Sequence, residues 1–253
     1  NVSSEHFELV EEEVRDIEDG EILIKNLFLS FDPTQRGWLN DVPSYIPPVK
    51  IGEIMRASSV GRVIESKNEN FSIDDIVQGS FGWQEYAISG DEKGFMPPRK
   101  LPEGITPTSA LSIYGVTGLT AYFGMIDIGK PEKNNTVLIS GAAGATGSVA
   151  GQIARIKGAT NVIGIAGGSD KCKWVVEEAG FDSCIDYKNE DVAKRVTELA
   201  PKGLDIYFDN VGGSILEIAL GNIAQKARVV MCGGISSGYT MERLAPGPST
   251  VFN

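Results

Sequence analysis

The run Val137-Leu138-Ile139-Ser140-Gly141-Ala142-Ala143-Gly144-Ala145-Thr146-Gly147 constrains this chain more than any other part of it. A strand is expected over 136–140, and it ends in a glycine-rich turn. The turn passes into 148–157, where Val149, Ile153 and Ile156 recur at helical spacing. Strand, tight turn and helix in that order let a backbone approach a phosphate closely, and they place that phosphate at the positive end of the helix. Alone, such a turn is also found as an ordinary strand-to-helix connection. Here four further strand-like segments follow at βα spacing: 161–166, 183–186, 204–209 and 227–232, with helical patterns fitting between them at 170–179 and 190–200. Repeating βα units imply a parallel, doubly wound sheet, whose ligands sit beyond the carboxyl ends of its strands. Gly141–Gly147, the 167–171 turn, Tyr187, Asn210 and 232–239 are therefore candidates on position alone.

The first hundred or so residues have another character. Segments 21–30 (Ile22, Ile24, Leu27, Leu29), 56–65 and 75–89 have strand composition, punctuated by Gly and Pro. A helical passage is expected from 106 to about 127. The chain thus reads as α/β in two parts, a β-rich domain over 1–110 and a dinucleotide-binding domain over 111–253. A complete dinucleotide sheet has six strands, and five are counted here. The stretch Ala245-Pro246-Gly247-Pro248 reads as a connecting loop, so the second domain is expected to be C-terminally incomplete.

Composition narrows the chemistry. A net charge of −11 argues against nucleic acid and anionic membranes, and no apolar run approaches spanning length. No basic-then-apolar leader is visible in a sequence that begins at Asn1, so a cytoplasmic setting is the default expectation. The one histidine is His6, and the three cysteines, Cys172, Cys184 and Cys232, form no Cys-x-x-Cys pair. A zinc site or a Ser-His-Asp or Cys-His centre needs ligands or bases that this chain lacks. No metal is expected.

Dinucleotide preference is read about twenty residues past the glycines, where NAD-binding folds carry an acidic side chain for the ribose 2′-hydroxyl. Here that place holds Gly167-Gly168-Ser169, followed by Asp170 and Lys171. A small neutral turn leaves room for a 2′-phosphate, and Lys171 can supply a point charge to it. This favours NADPH. Two alternatives stay open: Asp170 can serve NAD if the strand runs longer, and Lys171 can be a solvated residue in a helical first turn. Cys232 reads better as a small buried apolar residue than as a nucleophile. No tyrosine has a lysine four residues on, as short-chain dehydrogenases need.

Several motifs, in order and at family spacing, carry a specific resemblance. They are Leu29-Ser30-Phe31-Asp32-Pro33-Thr34-Gln35-Arg36-Gly37, Pro43-Ser44-Tyr45-Ile46-Pro47-Pro48, Gly118-Leu119-Thr120-Ala121-Tyr122, Gly144-Ala145-Thr146-Gly147, Asp205-Ile206-Tyr207-Phe208-Asp209-Asn210-Val211-Gly212-Gly213 and Cys232-Gly233-Gly234-Ile235-Ser236. Together they resemble the zinc-independent medium-chain dehydrogenase/reductases, in particular the leukotriene B4 12-hydroxydehydrogenase / prostaglandin reductase branch with its alkenal and curcumin reductases.

The resemblance implies a GroES-like β-rich catalytic domain followed by a Rossmann domain. It also implies NADPH-dependent reduction, without a metal, of the carbon–carbon double bond of α,β-unsaturated ketones and aldehydes. Carried over by position, Gly144, Ala145, Thr146 and Gly147 cradle the pyrophosphate, and Lys171 and Tyr187 hold the 2′-phosphate. Thr120, Asn210, Cys232, Gly233, Ile235 and Tyr239 line the nicotinamide side. Tyr239 resembles the tyrosine beside the substrate carbonyl and Tyr45 a substrate-pocket tyrosine. The family places the first of these six residues after the cysteine, where this chain has Gly238, so Tyr239 stands one later. Read without the family, Tyr45 is a Pro-flanked loop anchor, Tyr187 a cap at a strand end and Tyr239 a loop tyrosine packing its ring. Two other functions share the same cofactor site: a quinone reductase of the superfamily, and a non-catalytic, crystallin-like NADPH-binding protein. The implied partner is a small enone or enal, and the family leaves room for a homodimer.

Overall fold

The computed structural model describes residues 2–42, 44–90 and 96–237. The chain divides into two compact units, Asn1–Leu111 and Ser112–Asn253.

The first unit is built on an antiparallel sheet of β1 (Glu21–Leu29), β2 (Ser59–Ser66), β3 (Ile76–Gly79), β4 (Tyr86–Gly90) and β5 (Arg99–Lys100), in the order β4-β1-β2-β3-β5. Short helices α1 (Thr34–Gly37) and α2 (Pro107–Leu111) accompany it. Because side chains alternate across a strand, Ile22 and Ile24 of β1 share one face. They pack there with Val63, Val77, Ala87, Phe71 and Phe81 in a buried cluster. The Glu21 carboxylate is also buried, and Arg15 answers it with two hydrogen bonds of 2.8 and 2.9 Å.

The second unit begins with α3 (Val116–Phe123), which runs into a π-helical stretch, Gly124–Gly129. The expected helical passage is therefore broken at 112–115. Five parallel strands follow: β6 (Thr136–Ser140), β7 (Asn161–Ala166), β8 (Ser183–Asp186), β9 (Leu204–Asp209) and β10 (Ile223–Met231). They are separated by α4 (Ala145–Ile156), α5 (Ser169–Glu177), α6 (Val192–Leu199) and α7 (Gly213–Leu220). The sheet order is β10-β9-β6-β7-β8. The chain builds outward from β6 to β8, then returns to β9 on the other side of β6. That reversal opens a crevice at the carboxyl ends of β6 and β9.

Both faces of this sheet are covered. Val137 and Ile139 face one layer with Ala150 and Ala154 of α4, Val175 and Phe181. Leu138, Ile163, Ile165 and Ile185 face the other with Val196 and Ala219. Burial on both sides is why these strands read as unbroken apolar runs. Strand β10 starts four residues before the expected 227, because Lys226 is left-handed (φ 64°) and the register with β9 shifts between Ile223 and Arg228.

Helix α4 lies so close to Phe181 that a Cβ on Gly151 would fall 2.0 Å from the ring. Phe181 is itself buried, so it has little room to yield. Overpacking of this kind costs about 1–3 kcal/mol, against the roughly 1 kcal/mol that alanine gains over glycine within a helix. Gly151→Ala is expected to lower the urea midpoint at unchanged m-value, and Phe181→Leu in the same chain to restore part of it. An unaltered midpoint for the single variant would show that the ring has space to move.

Candidate nucleotide-binding site

Three strand ends meet at the crevice. At the end of β6, Gly141 takes φ 61° and its carbonyl accepts from Gly144 N at 2.9 Å. Gly144 is the extended N-cap of α4 and offers no side chain to the helix end. The backbone N–H groups of Ala145, Thr146 and Gly147 therefore open the helix without intrahelical partners. A Cβ on Gly147 would lie 2.3 Å from the Gly141 carbonyl oxygen, so only glycine lets this turn close onto the helix. Helix α4 starts before the expected 148 because its first turn is all small residues and carries no apolar periodicity. The result is a cradle of amides at a positive helix end, suited to a pyrophosphate.

At the end of β7, Gly168 takes φ 105° and leads into α5. Its N–H donates to Asp186 Oδ1 at 2.7 Å. Asp186, the last residue of β8, is almost fully buried. Its carboxylate also accepts from Asn189 Nδ2 at 2.7 Å and Lys188 N at 3.1 Å. The Asn189 amide first, and the Gly168 N–H after it, hold this carboxyl below the usual carboxylate range. Tyr187 comes next; its N–H donates to Ala166 O at 3.1 Å. Its half-exposed ring lies over Gly167, where a Cβ would meet ring and hydroxyl atoms at 2.8–2.9 Å. A shallow cavity of about 240 Å³ joins the two turns, lined by Ala143, Asp170, Lys171 and Trp174. Lys171 is exposed there, and among the described residues it makes no ion pair.

At the end of β9, the Asp209 carboxylate is wholly buried. Its Oδ1 accepts from Ser140 Oγ at 3.0 Å, Tyr207 Oη at 2.7 Å, Val211 N at 2.9 Å and Gly212 N at 2.8 Å. Its backbone carbonyl accepts from Cys232 N and Gly233 N, both at 2.9 Å. Its Oδ2 is buried with no partner among the described residues. Asn210 Nδ2 donates to Ser140 O at 2.7 Å and Asn210 N to Ser140 Oγ at 2.9 Å, while Asn210 O accepts from Ile235 N at 3.3 Å. Asn210, Cys232, Gly233 and Ile235 are thus brought together, and Asn210 stands beside Gly141. Burial first, and the charge of Asp209 second, push the Cys232 thiol and the Tyr207 hydroxyl upward. Cys232 is therefore a protonated, partly buried side chain here rather than a nucleophile.

Other sequence candidates stand elsewhere. Thr120 is exposed on α3 and its hydroxyl donates to Val116 O at 2.7 Å; no hydrogen bond joins it to the Asn210 cluster. Tyr45 belongs to the first unit, where its exposed hydroxyl accepts from Trp38 Nε1 at 3.0 Å and bonds Thr34 Oγ1 at 2.6 Å. The Arg56 guanidinium lies 5.3 Å from the Trp38 ring centre. Gly238 and Tyr239 lie outside the described residues. Sequence reasoning missed Ser140, Asp186 and Asp209. The signal that would have found them is a polar residue closing an otherwise apolar strand, since each is the last residue of β6, β8 or β9.

A parallel sheet with a glycine cradle at its reversal point defines a dinucleotide-binding fold, and comparison with known proteins agrees. Residues 1–97 match a family model described as the N-terminal domain of oxidoreductase, and residues 145–251 one described as zinc-binding dehydrogenase. The NADPH-dependent curcumin reductase of Escherichia coli K12 is 40% identical over 245 residues, 96% of this chain and 69% of that protein. Prostaglandin reductase 1 of Bos taurus is 39% identical over 244 residues, 96% of this chain and 71% of that protein. The crystal structure of CurA from Vibrio vulnificus in complex with NADPH superposes with a TM-score of 0.88 at 39% identity, covering 98% of this chain and 72% of that one. The chain belongs to the medium-chain dehydrogenase/reductase family, in its zinc-independent branch of curcumin and prostaglandin reductases. The residues do not fit a zinc site: among those described, no three His, Cys, Asp or Glu are grouped to hold a metal ion. Nor is any described helix long and apolar enough to cross a membrane.

The Asp186 carboxylate generates a pH prediction. Its folded pKa lies below the unfolded value of about 3.9. Its contribution to stability is therefore complete above that value and is lost as pH falls through the folded one. The stability gap between the wild-type chain and Asp186→Asn should stay constant near neutrality and narrow below about pH 4. Denaturant titrations at a series of pH values read this directly, and a gap that widened in acid would reverse the assignment.

Proposed function

We propose that this chain reduces the carbon–carbon double bond of α,β-unsaturated ketones and aldehydes with NADPH. It is an NADP-dependent oxidoreductase with NADPH as cofactor; the enone substrate and the residue roles are our reading. The observation that carries it is the glycine turn after β6, which adjoins the Lys171 cavity through Ala143 and the Asn210–Cys232–Ile235 cluster through Gly141, beside Asn210. That arrangement occurs in a chain 40% identical to a curcumin reductase.

NADPH bound there supplies a hydride. Gly144 and the amides of Ala145, Thr146 and Gly147 hold the pyrophosphate. Lys171 and Tyr187 hold the 2′-phosphate, with Gly168 fixed by Asp186 so that the turn keeps its shape. Asn210, Cys232, Gly233, Ile235 and Thr120 line the nicotinamide side. When hydride reaches the β-carbon of an enone, negative charge gathers on the carbonyl oxygen and needs a fixed donor. A tyrosine hydroxyl stays protonated at neutral pH and suits this; Tyr239 takes that role and Tyr45 flanks the substrate. The α-carbon then accepts a proton from water, so the chain needs no strongly perturbed acid. The division into a catalytic domain over 1–110 and a cofactor domain over 111–253 is part of the same proposal, as are a cytoplasmic setting and a homodimer.

Loss of NADPH absorbance with a panel of enals, enones, quinones and saturated ketones tests the reading. Turnover is expected with the enals and enones, with the carbonyl retained in the product. Turnover with quinones alone would replace the proposal by a quinone reductase, and NADPH binding without any turnover by a non-catalytic member of the family.

Lys171→Ala tests the phosphate corner separately. A hydrogen bond to a charged group is worth about 1.5–3 kcal/mol, so the variant should raise the Michaelis constant for NADPH roughly tenfold or more. The constant for NADH should scarcely change, since NADH lacks the phosphate. Equal changes for both cofactors would remove Lys171 from that role.

A further inference from the structure

Two of the three cysteines stand side by side. Cys172 is in the opening turns of α5 and Cys184 in the middle of β8, twelve positions later, and their sulfurs lie 3.0 Å apart. The Cys184 thiol donates to Cys172 Sγ, and the Cys172 thiol points on toward Ala166 O at 3.9 Å. Both residues are partly accessible and neither is in a disulfide. Cys232 has no such partner among the described residues. A disulfide bond is about 2.05 Å long, so the two sulfurs are within about one ångström of bonding distance.

We propose that Cys172 and Cys184 are an oxidisable pair, joined into a disulfide by peroxide, and that the closed form binds NADPH more weakly. The chemistry balances within the pair. Cys172, between Lys171 and Lys173, attacks the peroxide O–O bond and becomes a sulfenic acid as one water leaves. Cys184 Sγ then displaces that hydroxyl, and its own proton departs with it as a second water. Two S–H bonds and one O–O bond break, one S–S bond forms, and two electrons pass to the peroxide. Burial pushes the Cys184 thiol far above its ordinary range, which leaves the first, peroxide-attacking step to Cys172.

The position of the pair gives the bond its consequence, and this part rests on the NADPH reading above. Lys171 immediately precedes Cys172, and Asp186 and Tyr187 follow Cys184 by two and three residues. Closing the bond draws the start of α5 toward β8 by about one ångström and moves Lys171 relative to the Gly168 turn. A charge-assisted contact to phosphate is sensitive to that displacement.

The test uses the reduced full chain treated with hydrogen peroxide. Titration of the denatured protein should find one thiol where there were three. Peptide mass mapping should find Cys172 joined to Cys184 with the loss of two hydrogens and no added oxygen, and dithiothreitol should reverse both. In Cys184→Ser the same treatment should add oxygen to Cys172 instead. NADPH affinity of the oxidised chain should fall several-fold relative to the reduced chain. Survival of both thiols, equal consumption of Cys232, or a bridge between two chains would overturn the pair. A bond that formed without any change in affinity would overturn its regulatory consequence. If the reduced chain failed to bind NADPH at all, the cofactor reading would fall instead, and the mass map would still decide the bond.

Discussion

Burying a carboxylate is costly unless protein donors meet it, and this site is organised around one whose donors gather on Oδ1 while Oδ2 is buried with no partner among the described residues. Asp209 collects a hydroxyl from β6, a hydroxyl from its own strand and two amides from the following turn on a single oxygen. Its main-chain carbonyl meanwhile receives the first two amides after β10. Hydrogen bonds to charged groups contribute about 1.5–3 kcal/mol each, and removing this acceptor would strand several buried donors at once. The consequence is positional. Strands β6, β9 and β10 end at a common level, and the segments leaving them are tied to one atom group rather than to their own flexible turns. Asn210 adds a second tie, reaching back to Ser140. The crevice keeps its shape because the residues behind it are satisfied by one another.

Much of the second unit was legible in the sequence because its strands are buried on both faces. The expected bounds of the strands at 136–140, 161–166, 183–186 and 204–209 match β6 to β9 as the structure has them, since a parallel strand under two helical layers has no polar alternation to blur its ends. Strand β10 fails that rule for a physical reason: a left-handed Lys226 and a register shift divide it, and the sequence carries no trace of either. The helical passage expected from 106 to about 127 is interrupted at 112–115, and that break depends on a close backbone contact. Gly118 packs onto the Ile113 carbonyl, where a Cβ would sit at 1.9 Å.

The site divides along the same line. The glycine cradle is local, a turn whose small residues announce close approach, so a sequence displays it. Ser140, Asp186 and Asp209 act through partners far along the chain: Ser140 and Asp209 are 69 residues apart, Gly168 and Asp186 are 18 apart. Nothing in the order of residues distinguishes a carboxylate that binds a ligand from one that holds a turn. Only the hydrogen bonds separate those roles, and here they show two strand-end acids facing inward.

That inward turn reconciles an acidic chain with an anionic cofactor. A net charge of −11 would repel a pyrophosphate and a 2′-phosphate if it were spread evenly over the crevice. Asp186 and Asp209 instead spend their acceptor capacity on backbone N–H groups, a hydroxyl pair and an amide, all within the protein. The cavity is lined by Ala143, which leads toward the opening turn of α4, by Trp174, by the exposed Lys171 and by a single carboxylate, Asp170. Cation and helix end then outweigh one anion locally, whatever the sign of the whole chain, because a solvated charge more than about 10 Å away is largely screened at ordinary salt. On the proposed placement of NADPH, cofactor choice falls to a few residues at the end of β7, once the backbone has claimed the neighbouring carboxylates.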